Sequence, residues 1–154
     1  MSPQATVGPM KPAQASRVLA ASPTQVFAVL GNPDVATAVM PCVVSSERLP
    51  GPEAGVGMRF RETRTMGKRR MTMEFEVTES RAPSHLRIVC DDHGTLWDSA
   101  FTLSEHPDGT ELVITMDARA YQWLPRLLNP VMKPLFRKGL NQHLDALKVH
   151  FFTS

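Results

Sequence analysis

Residues 71–78 read MTMEFEVT, in which apolar and polar side chains alternate strictly. This period of two predicts a β-strand with one buried face, because successive side chains of a strand point to opposite sides. The same alternation recurs in several segments between Val43 and Ala120, and a helical pattern follows from Leu124 to Phe152. A sheet with one apolar face, followed by one long amphipathic helix, can enclose a pocket for an apolar molecule.

Length and composition indicate one ordinary globular domain. The chain has 154 residues, of which 42% are hydrophobic and 21% charged, and its net charge of +2 is too small to indicate nucleic acid or an anionic membrane as a partner. Cys42 and Cys90 are too few for a disulfide framework, so we expect two reduced, buried thiols in a cytoplasmic protein. No apolar run reaches the length of a membrane span, and no secretory signal is visible.

Proline and glycine residues mark the boundaries between the predicted helices and strands. We expect residues 1–14 to be a flexible lead-in and residues 15–154 to form a single domain. Ser22 and Pro23 predict the start of a short helix that ends at Gly31, and a second short helix precedes Pro41. The predicted strands are 16–21, 43–49, 58–65, 69–80, 86–91, 95–105 and 111–120. Because the connections between the last six are short, the sheet should be antiparallel.

The C-terminal segment predicts one long amphipathic helix. Apolar residues recur at intervals of three and four from Leu124 to Phe151, which places them on one stripe. Asn129 and Pro130 could begin the regular part of this helix, and Pro134 would then kink it one turn later.

Four short segments resemble those of a known superfamily. They are ASPTQVF at 21–27, GVGMRF at 55–60, DGTEL at 108–112 and LDALK at 144–148. Their order and spacing resemble the START-like, or helix-grip, superfamily (SRPBCC), and within it the polyketide cyclase/dehydrase and lipid-transport group. The resemblance implies an α+β helix-grip fold, in which a curved antiparallel sheet of about seven strands wraps around a long C-terminal helix, with two short helices after the first strand. It also implies a hydrophobic cavity, but no fixed catalytic residues.

Strand parity predicts which side chains face that cavity. We expect the interior of the sheet and the helix to contribute the ligand-binding residues Phe60, Glu62, Met73, Phe75, Ile88, Trp97, Ser99, Phe101, Met116, Met132, Leu135 and Phe136. Flexible methionines suit irregular apolar ligands, but they also fill gaps in a solid core, and the sequence does not separate these alternatives.

Few polar residues have the inward parity. Glu62 would need Arg64, another cation or a ligand hydroxyl if it lies on a cavity wall, whereas it would face water if the end of its strand is solvated. His143 flanks the apolar stripe of the last helix and either reaches the cavity or packs as an ordinary amphipathic side chain. His93 and His106 lie in predicted turns, and no histidine pair has metal-ligand spacing, so we expect no metal and no cofactor.

Other polar residues have the outward parity or lie at the rim. Asp98, Asp117 and Arg119 should make cross-strand pairs on the exposed face, unless a bulge turns them inward. Tyr121 and Trp123 fall where the last strand meets the helix, and they either gate a ligand or cover the edge of the core. The basic hairpin from Arg59 to Arg70 lacks the interleaved aromatic residues of a nucleic-acid surface, so we expect a solvated hairpin, with a docking surface for an acidic partner or an anionic lipid head as the alternative.

These observations favour a small cytoplasmic carrier or receptor for a hydrophobic molecule such as a lipid, polyketide or isoprenoid. The first alternative is a polyketide cyclase or aromatase, which requires ionisable groups that converge inside the fold. The second is an interaction module like the co-chaperones of the superfamily, with a filled core and an exposed apolar patch. Whether the chain catalyses a reaction or forms a homodimer is left open.

Overall fold

A computed structural model describes residues 13–92, 94–120 and 123–153, with the side chains of 66, 92, 120, 123–136 and 153 outside that description. The elements in chain order are β1 (Ala13–Leu19), α1 (Pro23–Leu30), a 3₁₀ turn (Pro33–Val35), α2 (Ala36–Val39), β2 (Val43–Arg48), β3 (Arg59–Met66), β4 (Arg69–Arg81), β5 (His85–Asp92), β6 (Thr95–His106), β7 (Gly109–Ala120) and α3 (Trp123–Thr153). The predicted order of strands and helices is therefore confirmed.

The seven strands form one antiparallel sheet in the order β1-β7-β6-β5-β4-β3-β2. Consecutive strands from β2 to β7 are neighbours, as short hairpin connections require. The first strand pairs with the last, so β1 and β2 lie at opposite edges, and α1 and α2 connect them. Together with the long C-terminal helix, this arrangement confirms the α+β helix-grip fold.

The second half of α3 packs against the inner face of the sheet. Leu140, Leu144 and Leu147 recur every three or four residues, and all three are buried in one core with Leu19 and Leu112 of the strands. Polar contacts hold the neighbouring face of α3 to β1: the Arg17 guanidinium donates to Asp145 at 3.1 Å and to Asn141 at 3.0 Å. The helix is thereby fixed across β1 and β7.

Helix α1 begins as its sequence predicts. The Ser22 hydroxyl accepts a hydrogen bond from the Gln25 backbone N–H at 3.2 Å, and Pro23 occupies the first turn. The Gln25 side chain accepts in return from the Ser22 N–H at 2.9 Å, which completes a capping box.

The boundaries of two elements and the exposure of one cysteine differ from the predictions. β1 covers Ala13–Leu19 instead of residues 16–21, because β7 offers pairing partners back to Met116, which lies opposite Ala13. α3 continues without interruption from Trp123, and so begins before the proposed cap at Asn129. Cys42 is exposed, since it lies in the turn before β2, whereas Cys90 is buried as expected.

Two β-bulges break the alternation that the sequence suggests. In β4 the pairing passes from Val77 opposite Ile88 to Glu79 opposite Arg87, so Thr78 is the additional residue. The bulge turns Glu79 to the outer face, although uninterrupted parity would place it inside with Val77. A second register shift lies at Val44 of β2, and this side chain is exposed. Such bulges bend their strands, as a sheet that surrounds a helix requires.

Candidate functional site

The predicted ligand-binding residues on the strands share the inner face of the sheet. Register places them in rows that cross the strands: Glu62 beside Met73; Phe60, Phe75 and Trp97 in one row with Cys90; Ile88, Ser99 and Met116 in the next with Val77; and Phe101 beyond them with Leu86 and Ile114. The predicted strand parity is therefore correct on this face. The side chains of Met132, Leu135, Phe136, Tyr121 and Trp123 lie outside the described part of the chain.

Packing on this face is dense at one end and looser at the other. Phe101 is buried, and the rows beyond it, with Leu103 and Leu112, belong to the fully packed core. Five of the predicted residues are only half-buried: Met73, Phe75, Trp97, Ser99 and Met116. The chain enters α3 at the looser end, because β7 ends beside the row of Trp97. Apolar inner-face side chains with free surface are what a ligand chamber requires.

An ion pair lies on the inner face of β3, next to these half-buried side chains. Nε and Nη2 of Arg64 both donate to Oε2 of Glu62, at 2.9 and 2.7 Å. Glu62 is only 4% exposed, whereas 29% of the Arg64 side chain remains accessible. This result decides between the two alternatives for Glu62: it does not face water, and its charge is compensated by Arg64, as a buried carboxylate requires.

Aromatic rings support the Arg64 guanidinium. Its central carbon lies 5.3 Å from the centre of the Phe75 ring, within the range of a cation–π contact. The Phe75 ring is stacked in turn on Phe60, with 5.1 Å between the ring centres. The two rings and Glu62 therefore hold the guanidinium in a defined position on the inner face of the sheet.

His143 of α3 reaches the same interior. Its ring meets the edge of buried Phe101 at a centre-to-centre distance of 6.2 Å. Burial, together with the positive charge of Arg64, lowers the pKa of His143 to about 4. Its imidazole is therefore neutral at pH 7. The residue nevertheless keeps some accessible surface.

Ser46 adds an unsatisfied hydroxyl beside the ion pair. It lies opposite Glu62 in the register of β2 and β3, and directly opposed residues of a sheet share a face. Its buried hydroxyl oxygen has no hydrogen-bond partner among the described residues. Sequence reasoning missed Ser46, because the bulge at Val44 reverses the apparent parity of β2.

A second charged network lies on the outer face of the sheet. Asp98 accepts from Arg87 Nε at 2.7 Å and lies 3.8 Å from Arg119 Nη2. Glu79, which the bulge turns outward, accepts from the same arginine at 2.6 Å, and its pKa is lowered chiefly by this hydrogen bond. The predicted cross-strand pairing is confirmed for Asp98 with Arg119, whereas Asp117 pairs with Arg119 of its own strand, and the expected exposure of Asp98 is wrong. Asp98 is only 6% exposed, because the long arginine side chains cover it.

Two clefts of about 250 Å³ each lie apart from the ion pair. One is lined by Val18, Lys148 and Phe152 at the C-terminal end of α3. The other lies between α1 and the loop before β3, and is lined by residues that include Phe27, Arg48 and Met58. We place the candidate site at the ion pair, where buried charge and half-buried apolar surface meet.

The described residues contain neither a membrane-spanning helix nor a metal site. None of the helices combines the length and the apolar character that crossing a bilayer requires. No three His, Cys, Asp or Glu side chains in this part of the chain come together in a way that could hold a metal ion.

Comparison with known proteins finds a matching family model and solved structures with a similar fold. The model of the family described as polyketide cyclase/dehydrase and lipid transport matches residues 10–151. No curated protein matches the chain. Among solved structures, the protein TTHA0849 from Thermus thermophilus is similar with a TM-score of 0.76 at 16% identity, over 92% of this chain and 97% of the other.

Two further solved structures show the same fold. A START superfamily protein from Mycobacterium smegmatis has a TM-score of 0.75 at 15% identity, over 94% of this chain and 99% of the other. The di-domain ARO/CYC protein StfQ from the steffimycin biosynthetic pathway has a TM-score of 0.75 at 11% identity, over 93% of this chain and 51% of StfQ. At such identities the likeness is one of fold.

Proposed function

Because the chain belongs to the polyketide cyclase/dehydrase and lipid-transport family, we propose that it binds a small hydrophobic molecule between the sheet and α3, as a carrier or receptor. The observation that supports this most is the group of half-buried apolar side chains beside the Glu62–Arg64 pair. A tightly packed core would bury these side chains more completely.

Two physical effects would act on such a ligand. Removing apolar surface from water stabilises the complex by about 25 cal/mol per Å² of ligand and protein surface. The Glu62–Arg64 pair cannot contribute through hydrophobic burial, but its hydrogen-bonding groups can orient one polar end of the ligand. The chamber would therefore select ligands with an apolar body and one polar group.

Substitution of Ser99 tests the location of the ligand. We expect Ser99→Phe to weaken the binding of Nile red, a neutral apolar dye, by about tenfold, because the added ring occupies space beside Trp97 and Phe101. Dye fluorescence during a protein titration measures this affinity. Thr102→Phe is the matched control, since Thr102 is exposed on the same strand with the opposite parity. Equal affinities of the two variants, both folded by circular dichroism, would contradict the proposed location.

Polyketide cyclisation is a second candidate function, because ionisable groups converge in the interior. His143 is a neutral imidazole there, and the charge of Arg64 is near enough to affect it. His143 could take a proton from the carbon between two carbonyl groups of a poly-keto chain while Arg64 stabilises the enolate oxygen. A carbon–carbon bond to another carbonyl would follow, that carbonyl oxygen would take up the proton, and water would be lost afterwards.

The products formed from a poly-β-keto thioester distinguish the two candidates. Cyclisation by the protein predicts that His143→Ala slows product formation by about 100-fold, the usual contribution of a general base. The same products from the wild type, the His143→Ala and Glu62→Ala variants and buffer alone would leave the carrier or receptor as the function. The described residues give no observation that favours an interaction module. Their exposed large apolar side chains are Val44, Val56, Val149 and Phe152.

A further inference from the structure

The hydrogen bonds of the Glu62–Arg64 pair leave one carboxylate oxygen and one guanidinium nitrogen without a partner among the described residues. Both bonds of the pair end on a single carboxylate oxygen, Oε2. Oε1 of Glu62 and Nη1 of Arg64 make no hydrogen bond to any described residue. The pair therefore offers a carboxylate acceptor and a guanidinium donor side by side, at the edge of the half-buried apolar surface.

The charges of the described side chains in this interior cancel. Arg64 and Glu62 neutralise each other, and the His143 imidazole is uncharged at neutral pH. A ligand carboxylate would have to approach Arg64 next to a carboxylate that is only 4% exposed, where water screens repulsion poorly. Like charges brought together at a desolvated site oppose binding strongly.

We infer that the Glu62–Arg64 pair selects an uncharged amphiphile with a hydroxyl group, such as an alcohol, enol or phenol, and rejects a carboxylate with the same apolar body. A hydroxyl can donate to Oε1 of Glu62 and accept from Nη1 of Arg64 at the same time. A carboxylate can only accept, so it leaves Oε1 without a donor and adds a like charge. This inference rests on the proposed function, and it adds the chemical class of the ligand.

Two twelve-carbon compounds that differ only in the polar group test the inference. Dodecan-1-ol and dodecanoate are compared by their displacement of Nile red at pH 8, where the acid is ionised. We expect the wild type to bind the alcohol at least about tenfold more tightly than the acid. Glu62→Gln removes the opposing charge and leaves Arg64 unpaired, so the preference should move toward the acid by about tenfold or more.

A matched variant separates this effect from a general change in charge. Glu74→Gln removes a carboxylate from the outer face of β4, where Glu74 is paired with Arg61, and should leave the preference unchanged. Equal affinity of the wild type for the two compounds, displacement by neither, or a Glu62→Gln variant with an unchanged preference would overturn the inference. Failure of the wild type to bind Nile red at all would overturn the proposed function as well.

Discussion

Replacement of Arg64 by methionine should lower the free energy of unfolding by about 3 to 5 kcal/mol. The substitution keeps an unbranched apolar stem but removes the guanidinium, and so leaves the Glu62 carboxylate buried without a positive charge. Arg64 supplies both hydrogen bonds that the structure gives Oε2, at 2.7 and 2.9 Å. Urea-induced unfolding followed by circular dichroism at pH 7 measures the change.

A neighbouring arginine gives the matched control for this prediction. Arg61 lies on the same strand with the opposite parity and makes exposed ion pairs with Glu47 and Glu74 at 2.8 and 3.1 Å. Because exposed pairs contribute little, Arg61→Met should lower stability by less than about 1 kcal/mol. The double variant Glu62→Gln, Arg64→Met should regain most of the loss, since it removes both charges. If Arg64→Met is no more harmful than Arg61→Met, Glu62 is not buried as described.

The stability of the fold should fall in mild acid because of His143. Its folded-state pKa of about 4 lies below the value of 6.5 for an ordinary histidine. The unfolded chain therefore binds the proton more tightly, and stability is lost as the pH falls through the window from 6.5 to 4. A difference of this size corresponds to about 3 kcal/mol.

Denaturant unfolding at a series of pH values tests this prediction. Carboxylates also lose their ion pairs in acid, so the informative quantity is the difference between the wild type and His143→Gln, which lacks the titrating ring. This difference should grow by about 3 kcal/mol in favour of the variant between pH 7 and pH 4. The control His106→Gln changes a partly exposed histidine at the end of β6 and should leave the pH profile of the wild type intact. Parallel profiles for wild type and His143→Gln would contradict a buried neutral imidazole.

Sequence reasoning predicted the fold well because its main signal is repeated along the chain. Alternation such as that in residues 71–78 specifies which face of a strand is buried, and short connections specify antiparallel neighbours. The same parity placed Phe60, Phe75 and Phe101 on the inner face, and the structure confirms all three.

The errors arose where a single residue changes the register or where a neighbouring strand decides the outcome. Thr78 and Val44 are bulges that carry no distinctive sequence signal, so Glu79 and Ser46 could not be placed from parity. Ala13 joins β1 because β7 pairs with it, which is a property of the partner strand. The burial of Asp98 depends on arginines from β5 and β7 that cover it, and parity alone does not predict such coverage.

The sequence predicted the location of the candidate site better than it predicted the burial of the residues there. The inward parity of Glu62 and Arg64 is visible in the sequence, but whether strand β3 ends in water or under α3 is a question of tertiary packing. The same holds for His143. Its position beside the apolar stripe of α3 is compatible with a side chain that reaches the interior and with one that packs at the flank of the helix. Its packing against the Phe101 ring and its burial decide it.

The proposal that a ligand binds between the sheet and α3 is tested most directly by locating the contacts between a bound ligand and the protein. Methionine methyl groups labelled with ¹³C allow nuclear Overhauser contacts to be measured between dodecan-1-ol and the methionine methyls of the protein. A ligand between the sheet and α3 predicts contacts to Met73 and Met116, which are half-buried on the inner face. Contacts to Met58, which lines the cleft beside α1, with none to Met73 and Met116 in the saturated complex, would contradict the account.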